Sequence, residues 1–530
     1  MKKQDFDDLE VYFEGEIYNK KEFFFDDEIL LLKDFYTKFG FDFLDKIDGI
    51  FAFCIYDKKK SLYFCSRDRF GNIPFFYYIK NGTFLFSTSI KNILNKLNYL
   101  PNMNKVALSK YLQYFATFGE DTFYQDIFRL EEASYLVFEA KKELIKKRYY
   151  KIKTYKAIND ENRALNDLEE ILFNSIEKRL VSSPSTLLSG GIDSSFISSI
   201  YTKLSGKKIN TFSIGYSEYK NYCELDFAKI TANHIKSNHN EVIINQKDYI
   251  DNFFKTLDIF DEPHSDSASV PLNILLNQVN KENIKCLLSG EGSDEIFLGY
   301  DNYAKFLKYY NFEKSLSKEQ NEFLDEIISA LQNNTKESEY LRRVVKKQNI
   351  YNSFGEIYTD IQKRRLFKKV PTFKTENPKQ DPVDNMSYLD LKIWVANAVL
   401  TKVYTLSSAN SLQINTPFLD KTLIDYVFSI NSEIKVGDTN KYLLKKIASK
   451  YLPQEIINRT KKGFNSPYNE WLQKEFKDGI LETILEVNKS TNLFNDVYVK
   501  HIYTLASSNK FKQHLYSLFV FSLWYKKTYL

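Results

Sequence analysis

The chain has 530 residues, which is too long for one ordinary core and predicts two or three domains. Its 74 Lys and Arg residues and 69 Asp and Glu residues are interspersed and give a net charge of +5, which excludes the concentrated basic footprint of a nucleic-acid-binding protein. The 4 cysteines lack metal-ligand spacing, the N-terminus lacks an apolar leader, and the late apolar run at 515–525 is too short to cross a bilayer, so a protein of the reducing cytoplasm is predicted.

Residues 1–150 are predicted to form a strand-rich domain. Apolar runs at 50–56 and 61–65 flank a polar turn, and runs at 74–78 and 83–87 flank Asn81-Gly82, which is a strong hairpin signal. The basic, polar segment 141–159 predicts a linker, after which a second domain is expected over 155–530.

The second domain begins with helical spacing at 161–180. Strand-like runs at 186–189, 209–214, 241–244 and 284–289 then alternate with segments of helical length, including 224–234 and 270–279. This alternation predicts a parallel sheet, in which ligands bind at the carboxyl ends of strands. After Tyr300 the chain is predicted to be mostly helical, with a loop at 376–385.

A phosphate-binding turn is predicted where the first of these strands ends, in the run Leu187-Leu188-Ser189-Gly190-Gly191-Ile192-Asp193-Ser194-Ser195. Glycines let the backbone approach an anion, and the start of the following helix directs free N–H groups at it. A carboxylate beside phosphates requires a cation between them, so Asp193 indicates a divalent metal. The Lys-Ser or Lys-Thr pair of a Walker loop is absent.

A second polar turn follows the strand-like run at 284–289, in Ser289-Gly290-Glu291-Gly292-Ser293-Asp294-Glu295. Alone, this turn could simply cap the next helix through Ser293 and Asp294. Because Ser189 and Ser289 both lie at strand ends of one predicted sheet, the two turns are expected to converge on one catalytic site.

These two turns resemble the pyrophosphatase loop and the second motif of glutamine-hydrolysing asparagine synthetases. Further similar segments are Gly15-Glu16-Ile17-Tyr18-Asn19, Gly49-Ile50-Phe51-Ala52-Phe53, Arg67-Asp68-Arg69-Phe70-Gly71, Thr211-Phe212-Ser213-Ile214-Gly215, Asp261-Glu262-Pro263, Thr416-Pro417-Phe418-Leu419-Asp420 and Arg459-Thr460-Lys461-Lys462-Gly463-Phe464. The resemblance implies an α/β protein with a truncated Ntn-hydrolase-like, β-rich glutaminase domain and a PP-loop (adenine nucleotide alpha hydrolase-like) synthetase domain with a helical C-terminal part.

The resemblance also implies a reaction, in which ATP and a carboxylate form an acyl-adenylate and ammonia displaces AMP. It assigns Mg²⁺ to Asp193 and Asp294, proton removal from the attacking amine to Glu291, and charge neutralisation on the phosphates to Lys461; the alternative for Lys461 is a solvated surface lysine. The remaining residues expected to bind ATP or pyrophosphate are Leu188, Ser189, Gly190, Gly191, Ser194, Ser195, Ile214, Ser289 and Gly290. Glu224 and Asp226 fit an acidic helix start of the family or, equally, a solvated helix face.

The N-terminal domain departs from the family. The nucleophilic cysteine that follows the initiator methionine in relatives has no counterpart near Met1, and Glu14 stands where relatives have an asparagine that donates to an oxyanion. The sequence therefore predicts a degenerate domain that does not hydrolyse glutamine. Whether the shortened start is natural is left open.

A second departure lies at 402–415. Tyr404 and Thr405 replace an Asp-Arg pair, and Gln413 and Asn415 replace the Glu and Arg of a Glu-x-Arg motif. This is either a loss of buried ion pairs, which can be nearly neutral in energy, or a changed acceptor pocket.

The predicted function is an ATP-dependent amide ligase acting on aspartate or a related acid. Three alternatives are a ligase for a sugar carboxylate of a surface polysaccharide, a catalytically inactive interaction partner that retains the fold, and a tRNA-modifying pyrophosphatase. The last lacks support because basic stripes and paired catalytic cysteines are absent. Expected partners are the carboxylate, ammonia and a separate glutaminase; a homodimer is compatible with the sequence, and nucleic acid and membrane are not expected.

Overall fold

The structure is a computed structural model that describes residues 1–180, 184–330, 335–375, 381–460, 463, 466–508 and 510–530. The strands are β1 (Lys2–Asp5), β2 (Leu9–Ile17), β3 (Gly49–Asp57), β4 (Leu62–Arg67), β5 (Phe76–Lys80), β6 (Thr83–Ser87), β7 (Ile127–Arg129), β8 (Ser134–Glu139), β9 (Ile145–Arg148), β10 (Ser185–Leu187), β11 (Asn210–Tyr216), β12 (Asn238–Ile244), β13 (Cys286–Leu288) and β14 (Gln413–Asn415).

The α-helices are α1 (Glu28–Phe39), α2 (Ile90–Leu94), α3 (Lys105–Tyr114), α4 (Glu161–Glu177), α5 (Ile192–Ser205), α6 (Leu225–His234), α7 (Gln246–Ile259), α8 (Ser269–Lys281), α9 (Ser293–Ile296), α10 (Asp301–Ser315), α11 (Lys318–Ala330), α12 (Lys336–Val345), α13 (Asp360–Leu366), α14 (Pro382–Leu389), α15 (Leu400–Ala409), α16 (Lys421–Ser429), α17 (Ser432–Val436), α18 (Tyr442–Ala448), α19 (Gln454–Ile457), α20 (Tyr468–Phe476), α21 (Asp478–Thr491), α22 (Asp496–Ser507) and α23 (Lys512–Tyr529). A π-helix spans Asp390–Val399, and 3₁₀ turns lie at Lys20–Phe23, Lys220–Tyr222 and Pro417–Leu419.

The N-terminal region is built from antiparallel sheets, as the sequence predicts. One sheet has the order β1-β2-β3-β4-β8-β9, and a second has the order β6-β5-β7. Side chains alternate between the two faces of β3. Phe51, Phe53 and Ile55 pack on the face with α1, while Ala52 and Cys54 pack with residues of the second sheet. The sheet is therefore buried on both faces, which explains why its central strand is almost continuously apolar.

The hairpin predicted in this region is confirmed, and the predicted linker needs a correction. Asn81 and Gly82 both have positive φ, 51° and 78°, and close the β5–β6 hairpin as a primed turn does. The segment predicted as a linker is wrong at 145–148, because β9 pairs there with β8. Its exposed lysines suit an edge strand, so a basic segment was mistaken for a linker.

The second region contains the predicted parallel sheet, in the order β12-β11-β10-β13-β14. The four predicted strands are confirmed within a few residues, and β14 was missed because it is three residues long and polar. Buried residues of α5 and α8, including Phe196, Ile200 and Leu276, pack with Phe212 and Leu287 of the sheet. The helices thereby fix the carboxyl ends of β10, β11 and β13 beside one another. Within the predicted loop at 376–385, residues 376–380 lie outside the described residues, and α14 begins at Pro382.

Two acids of the motif Asp261-Glu262-Pro263 join the two regions. Asp261 accepts hydrogen bonds from Ser89 Oγ at 3.0 Å and from the Ile90 N–H at 2.6 Å. Glu262 forms an ion pair with Arg129 at 3.0 Å. The motif Asp261-Glu262-Pro263 therefore serves domain docking. Among the described helices, none is long and apolar enough to span a membrane.

Candidate active site

The first predicted turn connects β10 to α5. Gly190 has φ 77°, and a Cβ there would lie 2.6 Å from the Ala228 backbone nitrogen, so only glycine fits. Ser189 and Ser194 close the turn, with their hydroxyl oxygens 3.0 Å apart. Gly191 precedes α5 without a side-chain cap, in contrast to α4, which Asp160 caps. The start of α5 is thus left with N–H donors suited to an anion.

The second predicted turn lies directly against the first. A Cβ on Gly290 would approach the Asp193 Cβ to 2.9 Å and the Ser194 nitrogen to 3.2 Å. Ser293 Oγ donates to Asp193 Oδ1 at 2.6 Å. The predicted convergence of two motifs 100 residues apart is therefore a feature of the structure.

Lys441 joins both turns from a distant part of the chain. Its Nζ lies 2.5 Å from Asp193 Oδ2 and 2.6 Å from Asp294 Oδ1, and its side chain is 3% exposed. Gly299 makes room for this arrangement, since a Cβ there would lie 2.3 Å from Lys441 Cε and 2.0 Å from Asp294 Oδ1. Lys441 itself has φ 56°, an uncommon conformation for a non-glycine residue that clusters at functional sites.

Both turns open into a cavity of about 660 Å³. Of the residues expected to bind substrate, its lining contains Leu188, Ser189, Gly191, Asp193, Ser194, Ile214, Ser289, Gly290, Glu291 and Asp294. These residues therefore lie together around one cavity, and their individual roles stay predictions.

Two expected residues are placed differently, and a third is not described. Ser195 is fully buried and its hydroxyl lies 2.9 Å from Thr231 Oγ1, so the expectation that it contacts phosphate is corrected. Neighbouring residues of a helix point about 100° apart, so Ser194 and Ser195 do not share the cavity face. Gly190 shapes the turn but is absent from the described lining. Lys461 lies outside the described residues.

Glu291 faces a buried ion pair at the centre of the cavity. Lys402 Nζ lies 2.5 Å from Asp266 Oδ2, and both residues line the cavity with Glu291. Burial alone would lower the pKa of Lys402, but the carboxylates of Asp266 and Glu291 hold it above its ordinary value. Burial and the charge of Asp294 raise the pKa of the adjacent Glu295 to about 8. Charge is thus concentrated around the two turns.

The two expected metal ligands fit a divalent cation by donor chemistry. Carboxylate oxygens of Asp193 and Asp294 converge on one Nζ atom, so they are close enough to share a cation. Mg²⁺ prefers one or two carboxylates together with phosphate oxygens and water. Among the described residues no cluster of three or more metal-ligating side chains occurs.

Of the two acids at the start of α6, Glu224 and Asp226, each fits a different one of the two interpretations. Glu224 lines the cavity and forms an ion pair with Arg459. Asp226 is exposed on the helix surface. The family-like interpretation therefore applies to Glu224 and the solvated one to Asp226.

The neutral residues of the second departure meet the N-terminal domain, and we call this contact the seam. Tyr404 OH donates to Glu14 Oε1, and Gln413 Nε2 donates to Glu16 Oε2 at 2.7 Å. Tyr18 OH lies 3.3 Å from Asn415 Oδ1. The cavity lining, as far as the structure describes it, includes neither these residues nor Thr405. The seam therefore favours altered domain packing over an altered acceptor pocket.

The seam also accounts for Glu14, the residue at the expected oxyanion position. Its second oxygen accepts from Thr88 Oγ1 at 2.8 Å and lies 3.2 Å from the Met1 amine. The two departures of the sequence are thus parts of one contact, joined directly by the hydrogen bond from Tyr404.

Comparison with known proteins identifies the two regions. The family model for asparagine synthase matches residues 167–526, and that for a glutamine amidotransferase domain matches residues 1–150. Asparagine synthetase [glutamine-hydrolyzing] 1 of Bacillus subtilis is 27% identical over 542 residues, covering 97% of this chain and 85% of that protein. Asparagine synthetase [glutamine-hydrolyzing] 3 of the same organism is 27% identical over 489 residues, covering 87% and 75%.

Among solved structures, the NH3-dependent NAD synthetase of Campylobacter jejuni is similar over 36% of this chain and 93% of its own, with 18% identity and a TM-score of 0.20.

Proposed function

Because the chain belongs to the asparagine synthase family and is an ATP-dependent carbon–nitrogen ligase, we propose that it converts a carboxylate to an acyl-adenylate and then to an amide. The observation that supports this most is the contact of the two turns through Ser293, Asp193 and Lys441. Aspartate or a related acid is the acceptor that the family suggests.

In the first step, a carboxylate oxygen attacks the α-phosphorus of ATP, and the bond to pyrophosphate breaks. The N–H groups at the start of α5 and the hydroxyls of Ser189 and Ser194 would hold the departing pyrophosphate. Mg²⁺ held by Asp193 and Asp294 would neutralise phosphate charge. Lys441 is placed to contribute a further positive charge, which is stabilising where the transition state gains negative charge. The same role for Lys461 stays a proposal from the sequence.

In the second step, ammonia attacks the acyl carbon, loses a proton, and AMP leaves with the bonding electron pair. Glu291 lies in the second turn and lines the cavity, so its carboxylate is within the space where the attacking amine must lose that proton. Lys402, which pairs with Asp266, is close enough to feel the charge of Glu291, and Glu291 is the proposed base.

Exchange of labelled pyrophosphate into ATP tests the first step. We expect exchange only with Mg²⁺ and a carboxylate, and we expect Asp193→Asn to lower its rate by about 10²-fold or more. Thermal unfolding of the variant checks that the fold is retained. If the folded wild-type chain failed to exchange pyrophosphate with every carboxylate of a broad panel, the alternative of an inactive interaction partner would be favoured.

The proposed nitrogen source is free ammonia, supplied directly or by a separate glutaminase. Glu14 supports this proposal, because its carboxylate would repel an oxyanion and is already hydrogen-bonded to Tyr404 and Thr88. Ammonium salts should support amide formation, whereas glutamine should yield no glutamate above a control without protein. Glutamate release by the purified chain would contradict the assignment.

A further inference from the structure

One end of the cavity is lined by four aromatic side chains, Phe115, Tyr300, Phe354 and Trp394, which we call the aromatic wall. The Tyr300 and Phe354 rings stack with centroids 3.7 Å apart and planes 10° apart. Trp394 meets Phe354 at 5.6 Å and Phe115 at 5.1 Å, both edge-on. The four rings form one contiguous surface, which is joined to the second turn by the hydrogen bond that Tyr300 OH donates to Glu295 Oε1 at 2.6 Å.

The aromatic wall is held rigidly. Phe354 N–H donates to Asp390 Oδ1 at 2.6 Å, and Ser353 Oγ donates to the same oxygen at 2.8 Å. Gly355 lies so close to the Trp394 indole that a Cβ would approach Cε3 to 2.7 Å. The loop 353–355 is thus fixed on the π-helix that carries both Asp390 and Trp394.

Two residues in or beside the aromatic wall have uncommon backbone conformations. Phe115 has φ 69° and Ser353 has φ 156°, conformations that bulky or non-glycine residues seldom adopt. Ser265 N–H fixes the Phe115 carbonyl at 3.0 Å. Strained residues persist where the surrounding structure over-determines them, and such places are commonly ligand clamps.

The wall is apolar, yet part of it is open. The side chain of Phe354 is 36% exposed, while Trp394 is 8% exposed. The ion pair of Lys402 with Asp266, which also lines the cavity, is internally neutralised. The ammonium and second carboxylate of a free amino acid would gain little from the exposed ring of Phe354, whereas a flat ring would bury apolar area against Phe354 and Trp394.

We propose that the acceptor carboxylate is carried on a ring that stacks against the aromatic wall, and that Phe354 is a specificity-determining residue for it. This inference rests on the proposed function, because it names the acceptor class of the same ligase reaction. Two sources share the required chemistry, namely a sugar acid, which presents the C–H face of its ring, and an aromatic acid, which presents a π face.

Carboxylate-dependent pyrophosphate exchange with aspartate, glucuronate, galacturonate and benzoate tests the acceptor class. We expect at least one ring acid to give a higher kcat/KM than aspartate; glucuronate or galacturonate as the better substrate identifies a sugar face, and benzoate identifies a π face. Exchange with aspartate as the best substrate would overturn this inference and leave the proposed function standing. Absence of exchange with every acid would overturn both.

Phe354→Ala tests the residue. An aromatic contact contributes about 0.5–1.5 kcal/mol, so kcat/KM for the ring acid should fall about threefold to tenfold while the KM for ATP stays within twofold. Phe354→Leu keeps apolar bulk but removes the flat face, and should show most of the same loss. Phe323→Ala, at a 63% exposed phenylalanine on α11, is the matched control and should change nothing. An equal loss for aspartate and the ring acid would show that Phe354 has only a structural role.

Discussion

Around Lys441 a buried ammonium lies between two carboxylates, whereas at the seam neutral Tyr404 and Gln413 meet the carboxylates of Glu14 and Glu16. Both regions connect segments that are hundreds of residues apart. They differ in the way each satisfies its carboxylates: in the cavity Lys441 pairs with both Asp193 and Asp294, whereas at the seam most donors to Glu14 and Glu16 are neutral, with the Met1 amine as a charged partner of Glu14.

The difference follows from the cost of burying charge. A buried ion pair often stabilises a fold no better than neutral residues of the same volume, because desolvation offsets the attraction. A contact needed only for docking can therefore lose its charges, as the seam has done. Under the proposed function, the charges around Lys441 serve the phosphate chemistry, whereas the polar groups of the seam serve packing.

The largest effect is expected from removing the ammonium in the cavity. Lys441→Met keeps the length of the side chain but leaves Asp193 and Asp294 without their shared cation, and removes a positive charge from the phosphate site. Pyrophosphate exchange should fall about 10²–10³-fold. Lys446→Met is the matched control on α18, because Lys446 pairs with Glu161 at the surface, and its exchange rate should be unchanged. Near-normal exchange by Lys441→Met would reduce Lys441 to a structural role.

Glu291 should separate the two half-reactions. Glu291→Gln keeps size and hydrogen-bonding capacity but removes the basic oxygen, so exchange should persist while amide formation falls about 10²-fold. Exchange and amide formation are measured on the same preparation with the same carboxylate. A parallel loss of both would place Glu291 at the phosphate or metal site, and a normal rate of both would make it a helix-start carboxylate.

The sequence predicted the turns better than it predicted their partners. An apolar run followed by glycines and a helix start is a local pattern, so the turns at Gly190 and Gly290 could be recognised without tertiary information. Lys441 could not, since 248 residues separate it from Asp193 and its left-handed backbone is not marked by a glycine. The i,i+4 spacing of Lys441 and Lys445, which both line the cavity, was the available signal.

The seam was equally hidden. Glu14 and Tyr404 were each recognised as departures from the family, but 390 residues separate them and no local pattern joins them. The aromatic wall draws on the chain at positions 115, 300, 354 and 394, and depends on a buried Asp390 whose pKa burial raises to about 6. Long-range convergence of this kind is set by packing rather than by spacing in the sequence.

A moderate effect, confined to stability, is expected at the centre of the seam. Tyr404→Phe removes the hydroxyl that donates to Glu14 and leaves that half-buried carboxylate with fewer donors, so the free energy of unfolding should fall by about 1–2 kcal/mol. Pyrophosphate exchange should stay within twofold, because Tyr404 does not line the described cavity. In a Glu14→Gln background, Tyr404→Phe should lower the free energy of unfolding by less. A double-mutant cycle measured by denaturant unfolding checks this expectation.

The smallest effect is expected at the edge of the seam. Gln413 donates to Glu16 at 2.7 Å and to Asn415 at 2.9 Å from the edge strand β14, whose pairing with β13 does not depend on this side chain. Gln413→Ala should therefore lower the free energy of unfolding by about 0.5–1.5 kcal/mol, the net value of a typical hydrogen bond, and leave the kcat for amide formation unchanged. Gln413→Glu is the sharper test, because it places a second carboxylate opposite Glu16. It should lower the free energy of unfolding more than Gln413→Ala does. If Gln413→Glu instead raised the free energy of unfolding and abolished amide formation, the seam would be coupled to the reaction. The distinction between polar groups that serve catalysis and those that serve packing would then be wrong at Gln413.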